Sequence, residues 1–146
     1  MIASIADITG STIYPEIVEI ITRENPDTVR MHILAAEDVA KSYLFKYDLN
    51  AIFGDAKSKP KVSSPLVKKI VVAIASYELV KLANPNIDIE LFESGYNAAI
   101  KLLEDIRDGR NVLFGVPLAV DDPDTPSDEG YSSVSWSSNP KRDNFF

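Results

Sequence analysis

The residues that could do chemistry are few and poorly placed for it. His32 is the only histidine and there is no cysteine. A Ser-His-Asp triad or a histidine general base would have to use His32. Thiolate nucleophiles, disulfides and multi-histidine metal sites are excluded. Carboxylates stand side by side at Glu37-Asp38, Glu104-Asp105 and Asp121-Asp122. Neighbours on a helix point about 100° apart, so the first two pairs make poor chelates. Around Asp121 the glycine and glutamate spacing of a calcium loop is missing. The six glycines form no phosphate-binding pattern, and there is no GxSxG or HExxH. The expectation is a protein that is no enzyme, with no cofactor and no metal.

Charge offers one further candidate. Lys57, Lys59 and Lys61 form a basic loop, extended by Lys68 and Lys69. Such a cluster suits DNA or an acidic partner. The plainer reading is a solvated loop and helix start, and no aromatics interleave with the lysines as a stacking platform requires. Net charge is −7, which disfavours nucleic acid and anionic membrane unless a basic face is segregated. No apolar run approaches the ~20 residues that span a bilayer. The start of the chain lacks the basic and apolar regions of a signal peptide. A soluble chain without a membrane partner is expected.

Four helical segments would carry these residues. Pro15 opens the first, to about Glu24, with Ile17, Ile20 and Ile21 as one face. Asn25 as N-cap and Pro26 at the first helical position open the second, which runs to about Tyr47. Its apolar stripe is Val29, Ile33, Ala36, Ala40, Tyr43 and Tyr47, with Arg30, Glu37, Asp38 and Lys41 opposite. Residues 48–64 read as a connector, with Leu49, Ile52 and Phe53 tucked onto the bundle. Ser64-Pro65 opens the third helix, which stops at Asn84-Pro85. It is apolar nearly all round, as a central helix should be. The fourth spans Ile89 to Arg107, capped by Asp88 and stopped by Gly109.

The fold class is therefore all-α: a small bundle of four main helices over residues 1–120, with an extended C-terminal tail over 121–146. Residues 112–120 read as an extended segment lying over the bundle. The tail is acidic and rich in Ser and Pro, a composition that buries too little apolar surface to order itself. It still carries Tyr131, Trp136, Phe145 and Phe146. Spaced aromatics suit anchoring on a partner, and they equally suit folding back on their own domain.

The order of features resembles a known family, the Mu-like phage head-to-tail joining proteins. In the second helix, Ala35-Ala36-Glu37-Asp38 leads to Tyr43-Leu44 and to Tyr47-Asp48-Leu49. The third opens Ser64-Pro65-Leu66 and contains Ile74-Ala75-Ser76-Tyr77-Glu78-Leu79, similar to the family's Ile-Ala-x-Tyr-x-Leu. In the fourth, Tyr96, Ala99, Leu103, Ile106 and Gly109 resemble its closing pattern. The resemblance covers roughly residues 1 to 118. It implies a connector subunit, many copies of which form a ring under the portal, at the head–tail joint of the virion after assembly in the host cytoplasm. Its implied partners are the portal protein, tail-side connector or tail-completion proteins, and further copies of itself. DNA would pass through the channel without specific binding, which an acidic wall favours. The alternative is a helical binding or regulatory module that grips one protein partner through its aromatic tail.

Overall fold

The computed structural model describes residues 2–11, 13–23, 25–55, 58–82 and 88–119. Among these there are six α-helices: α1 (Ile5–Ser11), α2 (Pro15–Thr22), α3 (Pro26–Tyr43), α4 (Leu49–Phe53), α5 (Pro65–Leu82) and α6 (Ile89–Arg107). The fold is all-helical. The four expected helices are α2, α3, α5 and α6. The expected ends at Glu24 and Asn84-Pro85, the residues Lys57 and Val120, and the tail lie outside the described residues.

Side chains set the helix starts. Asn25 accepts the Asp27 N–H at 3.1 Å, and Pro26 follows with a fixed φ and no N–H to satisfy. Asp88 accepts the Glu90 N–H at 3.1 Å, and Asp48 accepts the Ala51 N–H at 3.0 Å. Ser64 is a weaker cap, with its Oγ 3.5 Å from the Val67 N–H. Helix α2 stops where Arg23 turns left-handed (φ 52°, ψ 47°). Beyond α6, Gly109 takes φ 78° and its N–H donates to the Ile106 carbonyl.

Packing centres on α5. Val67, Ile70, Val71, Ile74, Ala75, Leu79 and Val80 are buried around most of its circumference. Helices α6 and α3 flank it, and α1 and α2 close the remaining sides. Each fully buried aliphatic side chain contributes roughly 1.5–3 kcal/mol. Helix α3 inserts Val29, Ile33, Ala36 and Ala40, and α6 inserts Ala99, Leu103 and Ile106. Tyr77 and Tyr96 pack at a centroid distance of 4.7 Å.

Several expectations need correcting. Glu37 is not on the solvated face of α3; it is only 2% exposed, and the Ile2 N–H donates to its carboxylate. Ile20 is exposed, because α2 buries Val18, Ile21 and Thr22 instead. The connector contains a helical turn, α4, whose Ile52 and Phe53 do enter the core. Residues 5–11 also form a helix, α1, that the apolar spacing does not announce, although Ser4 and Asp7 stand at capping-box spacing; its Ile8 is fully buried. Residues 112–119 cross one end of the bundle. Tyr47 and Leu118 form an isolated antiparallel bridge, held by Asp48 N–H to Pro117 O and Ala119 N–H to Lys46 O, both 3.0 Å. Leu113 is buried there, while Val112, Phe114 and Leu118 face water.

Candidate functional site

The acidic pairs separate on folding. Glu37 enters the core, while Asp38 is exposed and bound to Lys41 Nζ at 2.8 Å. Asp105 pairs with Arg110 at 2.9 Å, and its neighbour Glu104 is half-buried. Asp121-Asp122 lies outside the described residues. Among the described residues, no group of His, Cys, Asp and Glu could hold a metal ion. His32 is half-buried on α3.

The basic cluster is also divided. Lys68 is neutralised by Asp7 at 2.8 Å. Lys59 and Lys61 are exposed on a fixed loop, and Lys57 lies outside the described residues. The loop is held by Ser58 N–H to Asp55 Oδ1 at 2.7 Å, and by the Lys61 and Val62 N–H groups, both on the Ala51 carbonyl. It turns on Gly54 (φ 73°), where a Cβ would meet the Ser58 oxygen at 2.5 Å. Among the described residues the loop presents Lys59 and Lys61 to water, with Lys69 exposed near the start of α5.

A second charged group closes the far end of α6. Arg107 Nε meets Asp108 at 2.8 Å, and Arg110 meets both Asp105 and Asp108 at 2.9 Å. The hydrogen bond from Arg107 holds Asp108 below the usual carboxylate range, and Asp108 raises Arg107 in return. Lys46 Nζ donates to the Arg107 carbonyl at 2.8 Å, where a cation meets the negative end of the helix.

Apolar surface is the more telling feature. Phe114 sits on a turn beside Gly115 (φ 72°) and is 95% exposed. The turn is anchored, because the Leu113 N–H donates to the Tyr47 hydroxyl at 3.1 Å. At the opposite end, a groove of about 430 Å³ runs between α1, α2 and the start of α3. Ile5, Pro15, Val18 and Val29 line it with Thr9 and Thr22. Both threonine hydroxyls are spent on their own helices, on the Ile5 and Val18 carbonyls. Glu19, exposed on α2, adds a carboxylate to an otherwise largely apolar lining. A third surface is the outer side of α3, with Met31, Leu34 and Val39. Periodicity alone picks out the stripe that builds the core and not these surfaces. The signal was the apolar set Met31, Leu34 and Val39 left over once that stripe was assigned.

The expected partner-binding aromatics Tyr131, Trp136, Phe145 and Phe146 all lie outside the described residues. No helix of the described residues is long and apolar enough to cross a membrane.

The sequence pattern of the family described as "Bacteriophage Mu, Gp36" matches residues 3–134. That span runs from the N-terminal segment carrying α1, through all six helices, and into the acidic segment beyond. No curated protein and no solved structure matches the chain. With most of its length matched, the chain belongs to the bacteriophage Mu Gp36 family, a family of phage proteins.

Proposed function

We propose that the protein is a head–tail connector subunit. Many copies form a ring beneath the portal, extend the channel through which DNA passes, and give the tail its docking surface. The portal protein and a tail-side connector or tail-completion protein are its neighbours in the virion. The observation that carries this reading is the family match over residues 3–134.

Two features support it. A ring needs two different patches on each copy, so that one side meets the unlike side of the next. The bundle has separate apolar surfaces at its two ends: the Phe114 turn, and the groove between α1 and α2. Such a role also depends on shape and contact rather than on an active site. The net charge of −7 suits a wall past which DNA must slide without sticking.

Deleting the gene from its phage or prophage tests the reading. Electron micrographs of the induced lysate should show finished heads beside finished, unattached tails. Normal tailed particles would overturn the proposal.

A further inference from the structure

Helix α3 is apolar on two sides. The inner side, Val29, Ile33, Ala36 and Ala40, belongs to the core. On the side facing water stand Met31 (70% exposed), Leu34 (42%), Ala35 and Val39 (36%). Offsets of three, four and eight residues from Met31 keep these on one side of a helix with 3.6 residues per turn. Phe45, 55% exposed, continues the series just beyond the helix end. Two polar groups stand within the series: Asp38, its side chain 75% exposed and paired with Lys41 at 2.8 Å, and Ser42, whose hydroxyl donates to the Val39 carbonyl at 2.7 Å. A surface of this kind, roughly 21 Å long at 1.5 Å per residue, suits an apolar occupant.

The course of the chain points to that occupant. The Ala119 N–H is bonded to the Lys46 carbonyl, so the described chain ends next to Phe45, at one end of the exposed series. Residues 120–146 continue from that point and carry Tyr131, Trp136, Phe145 and Phe146. Trp136 lies seventeen positions beyond Ala119. Extended at roughly 3.3 Å each they reach about 56 Å, more than the length of the whole series. Charge is complementary at the exit. Asp121 and Asp122 follow Ala119 by two and three positions in the sequence, and Lys46, whose carbonyl holds Ala119, is a cation whose ammonium donates to the Arg107 carbonyl. Arg30, exposed and with no ion pair among the described residues, is the sequence neighbour of Met31 at the far end.

We propose that the outer side of α3 is the docking surface for this chain's own C-terminal segment, residues 131–146, with Trp136 as its principal apolar anchor. Tethering makes the contact intramolecular, so it needs no more than a modest intrinsic affinity. The inference is independent of the connector reading.

Trp136 is the only tryptophan, so its fluorescence reports the contact directly. The full chain at low concentration should emit to the blue of free tryptophan and be protected from acrylamide quenching. Paired substitution Met31→Asp and Leu34→Asp should move the emission to the red and remove the protection, with the helical circular dichroism retained. The single variant Met31→Glu, at the most exposed position, should give a smaller shift of the same sign. Leu91→Asp, on the exposed side of α6, should change nothing. Water-like emission from the unmodified chain would overturn the proposal, as would emission indifferent to Met31→Glu. A blue shift that fades on dilution would also overturn it, by assigning the surface to a second copy.

Discussion

The Asp7 carboxylate on α1 and the Lys68 ammonium on α5 meet at 2.8 Å, tying the N-terminal helix to the central one. The same carboxylate accepts the Ser4 N–H and hydroxyl at 2.8 and 2.7 Å. The Lys68 hydrogen bond, then the Ser4 hydroxyl, lower Asp7 from 3.8 to about 2. A lowered carboxylate stabilises the folded state above its unfolded pKa and ceases to do so as pH falls through the folded one. The window is therefore pH 3.8 down to about 2. Lys68 is 42% exposed, so water screens the pair, and its net worth at pH 7 is about 1 kcal/mol. Asp7→Asn should lower the melting temperature by about 2–4 °C at pH 7. The gap to the unmodified chain should close across that acid window. Thermal melts at a series of pH values measure both, and a gap as large near pH 2 as at pH 7 would contradict the assignment.

Two glycines should respond oppositely to alanine. At Gly54 the φ of 73° is strained for any other residue, and the new Cβ would lie 2.5 Å from the Ser58 oxygen and 2.9 Å from the Pro60 nitrogen. Gly54→Ala should cost about 1–3 kcal/mol or more. Gly95 lies within α6, exposed, with open space where the Cβ would go. Gly95→Ala should stabilise by roughly 0.5–1 kcal/mol. Urea unfolding of the two variants side by side checks the signs.

Tyr47 holds the 112–119 segment through its hydroxyl, which accepts the N–H of buried Leu113. Tyr47→Phe would leave that donor buried and unpaired, at about 1–3 kcal/mol. Hydrogen exchange at Leu113 should rise by more than global destabilisation explains, since the Phe114 turn loses its anchor.

Ser76 lies fully buried in α5, and its hydroxyl has no partner among the described residues. Burying an unpaired hydroxyl is unfavourable. Ser76→Ala should leave stability unchanged or raise it by up to about 1 kcal/mol. A clear loss in the urea midpoint would mean that the hydroxyl is satisfied.

Much of this architecture is legible in the sequence because the long helices announce themselves locally. Asn25-Pro26, Pro65 and Asp88 mark helix starts by chemistry confined to two or three neighbours. The four-three spacing of Val29, Ile33, Ala36 and Ala40 marks a core face without knowledge of what it faces. Features that depend on distant contacts escape such reading. Helix α1 is seven residues long, too short to persist alone, and is held by Ile8 in the core and Asp7 on Lys68. Glu37 reads as a surface acid until the Ile2 N–H, 35 residues away, reaches it. The exposed apolar surfaces are visible only by subtraction, once the core has claimed its own residues. Of the candidate site residues, Lys59 and Lys61 are exposed, while Lys57 and the aromatic set lie outside the described residues.

The most direct test of the connector proposal is electron cryomicroscopy of the neck of the mature particle. The expected density is a ring of copies between portal and tail, each fitted by α1 to α6, around a channel wide enough for duplex DNA. Particles whose neck density does not accommodate this bundle, or from which the protein is absent, would contradict it.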